Sequence, residues 1–384
     1  MSHALNARPN EAPARSSEAG LPEAASGTLS IDLGAIIANW RSLRDRIAPA
    51  ECAAVVKADA YGLGMARVAP RLAAAECTLF FVATIDEGLA LRRLLPGVEI
   101  AVFDGLLPGT AGEFRRARLI PVLNDLGQIA AWRQSEATRA LPAIIHVDTG
   151  MSRLGLSPAE LRRLGDEPGL LAGLELRAIL SHLACADEPA HPLNAQQLAA
   201  FNRALALLPR APASIAASSG IFLGADYHFD FARPGAALYG INPTPQDPNK
   251  MKQVIRLKGR IVQVRDVDSG ATVGYGATHR MERAGRIATV AVGYADGWLR
   301  SSSHRGTAGI AGQRVPIIGR ISMDLMTLDV TGIDPALAHP GAFVDLIDET
   351  HGVDDIAAAA GTIGYEILTS LGTRYHRVYR GEAA

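Results

Sequence analysis

The sequence has little net charge, few cysteines and no long apolar run, and each shortage excludes a class of protein. Its 38 lysines and arginines nearly balance its 39 aspartates and glutamates, which leaves a formal net charge of −1, too small to recruit nucleic acid or an anionic membrane. No apolar run approaches the ~20 residues that cross a bilayer. The sequence therefore predicts a soluble protein that acts on a small molecule.

The three cysteines are also informative. Cys52, Cys77 and Cys185 are an odd number and form no CxxC pair, so they indicate neither a disulfide framework nor a zinc site. The chain contains no HxH or HExxH motif, and we predict no metal site. Free thiols are typical of a reducing compartment, so we expect a cytoplasmic protein.

The first 27 residues differ in composition from the rest. Residues 1–27 are rich in alanine, proline, serine and glutamate and lack the apolar core of a signal peptide. We predict a disordered tail, whose role the sequence leaves open. The remaining chain is too long for one ordinary core, so two domains are expected.

Residues 28–250 show a repeating pattern of short apolar runs followed by helical stretches. The apolar runs are AAVVKA, TLFFVAT, VEIAVFDG, RLIPVLND, AIIHVDTG, RAILSHLA, ASIAASSG and FARPGAALYG. Such alternation is typical of parallel strands covered by helices. Eight repeats predict a (β/α)8 TIM barrel, which takes about 250 residues. Because the last two units are short, an open doubly wound sheet is the alternative.

The pattern of apolar and glycine residues changes after Pro243. Strand-like segments divided by glycine-rich turns dominate residues 251–384, which predicts a mostly antiparallel β C-terminal domain. Val353–Ala360 is predicted to be a short helix. The fold class is therefore α/β, with a barrel followed by a β domain.

The sharpest local feature is the segment AAVVKADAYGLG at residues 53–64. Lys57 ends a buried strand and should face the mouth of the barrel, where barrel enzymes place their chemistry. A lone lysine at a strand end is more often a surface residue, but Tyr61 and two glycines follow it closely. A lysine amine can bind a carbonyl cofactor covalently when its pKa falls below ~10.4.

This segment resembles the cofactor-binding lysine motif of alanine racemases, enzymes that use pyridoxal 5′-phosphate (PLP). The similarity extends from Leu29 to Tyr379. Further matching segments follow in the same order and spacing: HVDTGMSRLGL (146–156), SHLACADE (181–188), ARPGAALYG (232–240), VGYGATHR (273–280), VGYADG (292–297), GRISMDLM (319–326) and TIGYE (362–366). The resemblance implies an isomerase of fold type III that interconverts L- and D-alanine.

The resemblance also implies roles for single residues. Lys57 would hold PLP and act as one of two bases, and Tyr275 would act from the opposite face. On its own, a tyrosine between two glycines is more often structural. His182 would lie beside the cofactor ring, and Arg233 would donate to the pyridine nitrogen. Arginine has no acceptor, so that nitrogen would stay unprotonated, the electron sink would be weaker, and racemisation would be favoured over transamination.

The remaining implied contacts concern the phosphate, the substrate and a second subunit. The candidates for the cofactor phosphate are Tyr61, Ser218, Gly235, Ala236 and Tyr365. Arg153 and Met323 would bind the substrate. Tyr275 and Met323 belong to the β domain, and in this family that domain completes the partner's site. The resemblance therefore implies a homodimer with composite active sites.

Two positions depart from the family pattern. His146 stands where many relatives have a carbamylated lysine that braces the arginine matching Arg153, and imidazole forms no stable carbamate. We therefore expect a neutral ring, an anion or water to brace Arg153. Ala217 replaces a usual asparagine before Ser218, which should weaken PLP binding by ~1 kcal/mol if nothing replaces the contact.

Other functions are also compatible with these residues. A racemase of serine or another small amino acid would share most of these motifs. A fold-type III amino-acid decarboxylase usually needs a late cysteine, whereas all three cysteines here precede residue 186. A non-catalytic PLP barrel would lack the β domain, and a cofactor-free hydrolase would need metal ligands or paired carboxylates. Supply of D-alanine for peptidoglycan and its degradation are equally compatible with the sequence.

Overall fold

The computed structural model describes residues 24–135 and 141–381. Of the predicted tail, residues 1–23 lie outside the described residues, and the first strand begins at Gly27. The helices are α1 (Leu33–Ile47), α2 (Lys57–Tyr61, a single left-handed turn), α3 (Met65–Ala74), α4 (Ile85–Leu94), α5 (Ala111–Ala117), α6 (Leu126–Gln134), α7 (Pro158–Asp166), α8 (Pro192–Leu207), α9 (Val353–Ala360) and α10 (Gly364–Ser370).

The strands fall into two main sheets. They are β1 (Gly27–Asp32), β2 (Glu51–Cys52), β3 (Ala54–Val55), β4 (Leu79–Val82), β5 (Glu99–Val102), β6 (Ile120–Leu123), β7 (Leu141–His146), β8 (Leu174–Leu180), β9 (Ala213–Ser214), β10 (Phe231–Ala232), β11 (Ile255–Val267), β12 (Thr272–Val273), β13 (His279–Arg280), β14 (Gly285–Val290), β15 (Thr307–Ile310), β16 (Gln313–Ile318), β17 (Met326–Asp329), β18 (Phe343–Ile347) and β19 (His376–Arg380).

The first sheet closes into a barrel. Strands β3 to β9 pair in sequence order, all parallel, and β10 pairs with β2. Closure is completed by hydrogen bonds from Ala53 N–H to Ala232 O (3.0 Å) and from Arg233 N–H to Ala216 O (2.9 Å). The predicted barrel is confirmed, and these closing bonds rule out the open sheet.

Burial and helix capping explain why these segments fold in this way. Strand β4 is buried along its whole length, as expected for a parallel strand covered on both faces. Helix α4 begins with a capping box in which Thr84 and Glu87 exchange side-chain and backbone hydrogen bonds, which satisfies amides that would otherwise lack a partner. Because every barrel strand then ends at the same rim, residues that follow the strands meet at one mouth.

The second sheet is a smaller β barrel. Strand β11 pairs with β14 and β18, and the ring continues through β17, β16 and β15 in mostly antiparallel order. Strand β1 adds to the same sheet by pairing with β11 and β19. The first strand of the chain thus lies in the second sheet, although the sequence placed residues 28–250 with the barrel. The predicted helix Val353–Ala360 is confirmed as α9.

In the parts of the chain that the structure describes, no helix combines the length and the apolar character that a bilayer crossing requires.

Candidate functional site

Lys57 begins a turn with unusual backbone geometry, shortly after barrel strand β3. The next four residues, 58–61, all have positive φ angles, 53°, 53°, 55° and 56°. None is glycine, and left-handed backbone costs about 1–2 kcal/mol per such residue. Two carboxylates hold the turn: Glu87 accepts from Ala58 N–H at 2.6 Å, and Asp59 accepts from Met65 N–H at 2.7 Å. Strain of this kind is typical of functional sites.

The amine of Lys57 lies in a partly buried, positively charged environment. Burial lowers its pKa, and the charge of Arg153 lowers it further, while Glu87 and Asp104 act in the opposite sense. The Nζ atom lies 5.7 Å from the centre of the Phe103 ring. Lys57 is also the only lysine in residues 1–249. A larger share of this amine is therefore neutral, and thus nucleophilic, than for a solvated lysine.

Arg233 is buried without a carboxylate partner. Its side chain is 2% exposed; Nε donates to Ser214 Oγ at 3.0 Å, and Nη2 donates to the carbonyls of Ser181 and Ile215. Burial lowers its pKa to about 10, so it remains charged at neutral pH. Among the described residues Nη1 makes no hydrogen bond. This nitrogen is a donor available to a ligand. An arginine before Pro-Gly would by itself indicate a surface turn residue, but Arg233 is buried.

A cradle of hydroxyl and backbone groups lies beside Arg233. Ser218 Oγ accepts from the N–H groups of Gly235 and Ala237, each at 3.1 Å. The Tyr61 hydroxyl lies 2.3 Å from where a Cβ on Gly235 would be, so only glycine permits this approach. Burial raises the pKa of Tyr61, which keeps it a donor. Such hydroxyl and main-chain groups are suited to a phosphate.

Two further members of the predicted phosphate set lie beside this cradle. Ala236 begins a short 3-10 helix directly after Gly235, and the Tyr365 ring centre is 6.0 Å from that of Tyr61. The structure therefore brings together all five residues that the sequence predicted here.

The two histidines of the site are held neutral. Burial and the charge of Arg233 lower the pKa of His146 to about 3; the same causes hold the pKa of His182 well below its usual value. His146 Nδ1 lies 2.8 Å from Asn124 Oδ1, and Asn124 Nδ2 donates to the carbonyls of Phe103 and Val122. Because the Asn124 oxygen must accept, the proton lies on Nδ1, and Nε2 is left as an acceptor.

Arg153 lies in a tight loop after β7. Asp148 Oδ1 accepts from the N–H groups of Gly150, Met151 and Ser152 at 2.9–3.1 Å, which turns the chain back towards the mouth. Arg153 itself is exposed, yet its charge lowers the pKa values of Lys57, His146 and His182, so it lies among them. The sequence analysis did not predict a role for Asp148 or Glu87. The only indication in the sequence was that each is an acidic residue close to a predicted turn.

Tyr275 and Met323 stand apart from this group. Their side chains are 73% and 54% exposed, and no hydrogen bond or ring contact in the described ranges joins them to Lys57. Gly274 and Gly276 flank Tyr275 with φ angles of 71° and 73°, and a Cβ on either glycine would press against Arg320. One chain thus assembles the Lys57 half of the predicted site but leaves the Tyr275 half facing outward.

No metal cluster accompanies these residues. Across the described segments, no group of three or more histidine, cysteine, aspartate or glutamate side chains could hold a metal ion.

Comparison with known proteins identifies the family of both domains. Residues 31–243 match the model of the alanine racemase N-terminal domain, and residues 254–379 match the alanine racemase C-terminal domain. The chain is 50% identical over 363 residues to a catabolic alanine racemase of Mesorhizobium japonicum, covering 94% of this chain and 95% of the relative. It is also 50% identical over 366 residues to an alanine racemase of Rhodospirillum rubrum, covering 94% and 98%.

Solved structures agree with these relatives. The crystal structure of alanine racemase from Bartonella henselae, with covalently bound pyridoxal phosphate, superposes with a TM-score of 0.90 at 43% identity. The similarity covers 92% of this chain and 99% of that one.

Proposed function

The chain belongs to the alanine racemase family, and from this premise we propose how it interconverts L- and D-alanine: Lys57 and Tyr275 exchange the Cα proton from opposite faces of the substrate. The observation that carries the proposal is the setting of Lys57. It is the only lysine in residues 1–249, it follows a barrel strand, and burial lowers its pKa. Tyr275 lies on the other domain, exposed between two glycines.

The residues around Lys57 fit PLP. When bound, PLP withdraws electrons from the substrate Cα and makes its proton removable. Lys57 would bind the aldehyde carbon, and the cradle formed by Tyr61, Ser218 and Gly235 would hold the phosphate. Arg233 Nη1 would donate to the pyridine nitrogen. Arginine only donates hydrogen bonds, so the pyridine nitrogen would have to accept and would stay unprotonated. Arg233 would therefore suit this nitrogen by its chemistry as well as by its position.

The two proton-transfer groups need different help. The lowered pKa of Lys57 leaves part of its amine neutral and able to accept a proton once the substrate has displaced it. A phenol holds its proton firmly, so Tyr275 needs a neighbouring cation or hydrogen-bond donor to stabilise its phenolate before it can work as a base. The positive charge of Arg233, acting through His182, would stabilise the phenolate once Tyr275 reaches the barrel mouth.

Substrate selection would rest on Arg153 and the residues opposite it. Arg153 makes no hydrogen bond in the described parts of the chain, so its guanidinium is available to the substrate carboxylate. Met323 would add a backbone donor. Together with Tyr365 it would crowd the substrate side chain, which favours alanine over serine and larger amino acids.

The exposed apolar side chains of the β domain support a homodimer with composite sites. Three of them belong to predicted site residues, namely Tyr275, Met323 and Tyr365. The others are Val262, Tyr294, Leu325, Leu337 and Ile363. Such a set is typical of an interface. A twofold partner that covered it would bring its Tyr275 to the mouth that holds Lys57.

A complementation experiment tests the two bases and the dimer together. Lys57→Ala and Tyr275→Phe should each abolish racemisation, and Tyr275→Phe should keep its bound PLP. If the variants are mixed and allowed to exchange subunits, half of the dimers carry one intact site, so about a quarter of wild-type activity should return. Recovery of no activity would contradict composite sites, and a fully active Tyr275→Phe would contradict the two-base assignment.

Selectivity and cellular role need separate measurements. A panel of L-amino acids, including serine, should show alanine as the preferred substrate. We also propose a cytoplasmic location, because all three cysteines are free and free thiols persist in reducing compartments. Fractionation of the cells would test this, and the growth of a deletion strain with and without D-alanine would separate supply for peptidoglycan from degradation.

A further inference from the structure

A glutamine on helix α8 has all its hydrogen-bonding atoms directed at the loops of the site. The Gln197 side chain is completely buried, with 0% exposure. Its Nε2 donates to His182 O at 2.9 Å and to Thr149 Oγ1 at 3.2 Å, and its Oε1 accepts from Ala184 N–H at 2.8 Å. One amide therefore contacts the segment that carries His182 and the segment that leads to Arg153.

The connection continues from Thr149 towards Arg233. Thr149 Oγ1 lies 2.7 Å from Ser181 Oγ, and the carbonyl of Ser181 accepts from Arg233 Nη2. Gln197 thus stands at the end of a chain of buried and half-buried polar groups that links the loops after β7 and β8 with the buried guanidinium. Buried networks in which every member is satisfied fix one arrangement of the groups they join.

The same helix offers a natural comparison one turn earlier. Asn194 is also buried, and its Nδ2 donates to the carbonyls of Cys185 and Glu188 at 3.1 and 3.0 Å. It therefore holds the outer part of the same loop. It makes no hydrogen bond to residue 149 or to residues 181–184 in the described chain.

We propose that Gln197 is a positioning residue that sets His182 and Arg153 relative to each other. The inference rests on the proposed function, in which His182 lies beside the cofactor and Arg153 binds the substrate carboxylate. Helix α8 spans 16 residues and provides a stiff base. Without the amide, the loops after β7 and β8 lose their shared partner, and the distance between His182 and Arg153 is no longer fixed.

The direct test is hydrogen exchange on the PLP-loaded enzyme. Gln197→Met keeps the side-chain volume and removes all three hydrogen bonds, whereas Asn194→Leu removes the two outer ones. Gln197→Met should speed exchange in peptides covering residues 148–153 and 181–184. Asn194→Leu should speed it only around residues 185–188. Equal changes in the same peptides for both variants would overturn the proposal, because the amide would then serve only to pack the helix.

Kinetics provide the second readout. Because small misplacements of binding groups can cost up to about 100-fold in rate, Gln197→Met should lower kcat/KM for alanine by about tenfold or more. Asn194→Leu should stay near the wild-type value even if both variants lose thermal stability equally. Unchanged kcat/KM in Gln197→Met would overturn the proposal.

Thr149 provides a milder perturbation should Gln197→Met fail to fold. Thr149→Val removes the hydroxyl that joins Gln197 to Ser181, and Thr149→Ser restores it. The serine variant should therefore recover the slow exchange of residues 148–153, and the valine variant should not; recovery by both would count against the link. If the wild-type protein does not racemise alanine, the proposed function fails, while the exchange data still decide the role of Gln197.

Discussion

His146 should make the stability of this protein depend on pH in a way that a single substitution removes. Its ring is 9% exposed, and burial together with the charge of Arg233 lowers its pKa to about 3. In the unfolded chain the same group titrates near pH 6.5. Between these two values the unfolded state binds a proton that the folded state refuses.

The size of the effect follows from the difference in pKa. Above pH 6.5 the ring is neutral in both states and has no effect on the pH dependence. Each pH unit below that value costs ~1.4 kcal/mol of unfolding free energy, so stability falls as the pH falls. At pH 5 the loss due to His146 is ~2 kcal/mol, and it levels off near pH 3. His182 acts in the same direction.

Thermal unfolding at pH 8, 7, 6 and 5 checks this in wild type and in His146→Gln, at fixed protein and PLP concentrations. Glutamine stays neutral at every pH. On acidification from pH 8 to pH 5 the melting temperature of the variant should therefore fall by about 2–3 °C less than that of wild type. Because His182 is present in both proteins, the difference isolates His146. His339→Gln, which removes an exposed imidazole, is the matched control. Parallel curves for wild type and His146→Gln would show that the buried ring does not remain neutral.

Three further substitutions test the cofactor site. Arg233→Glu replaces the donor to the pyridine nitrogen by an acceptor, and it should raise the ratio of transamination to racemisation; an unchanged ratio of keto-acid to racemised product would contradict the assigned role. Gly235→Ala places a Cβ 2.3 Å from the Tyr61 hydroxyl and should weaken PLP binding when apoenzyme is titrated with PLP, an effect that Tyr61→Phe should partly relieve. Ala217→Asn should tighten PLP about fivefold by adding a polar contact beside Ser218, and a dissociation constant equal to that of wild type would show that the contact is already replaced.

Much of the architecture could be predicted from local patterns. Alternating apolar runs and amphipathic stretches reflect burial that each segment carries in its own residues, so the eight barrel units and helix α9 were found from the sequence. Lys57 was found because it ends such a run and is followed by a distinctive motif. The assignment of Tyr275, Arg153 and Met323 came from family resemblance, since an exposed tyrosine or arginine leaves no local signal of its use.

Other features of the fold depend on contacts between segments that are far apart in the sequence. Strand β1 pairs with β11 and β19, partners that lie more than two hundred residues further along the chain, and no periodicity within β1 specifies them. The left-handed turn at residues 58–61 contradicts the backbone preference of its own residues, and Glu87 from a neighbouring helix holds it in place.

The electrostatic character of the site was likewise a tertiary outcome. Arg233 could be read from the sequence as a surface residue; its burial against Ser181 and Ser214 makes it a buried cation with one free donor. His146 is neutral because it is buried and because the charge of Arg233 lies nearby, not because of its neighbours in sequence. The sequence by itself determined which chemical groups are present and which segments are buried. Only the tertiary structure decided their charge states and their partners, because both depend on what surrounds a group once water has been excluded.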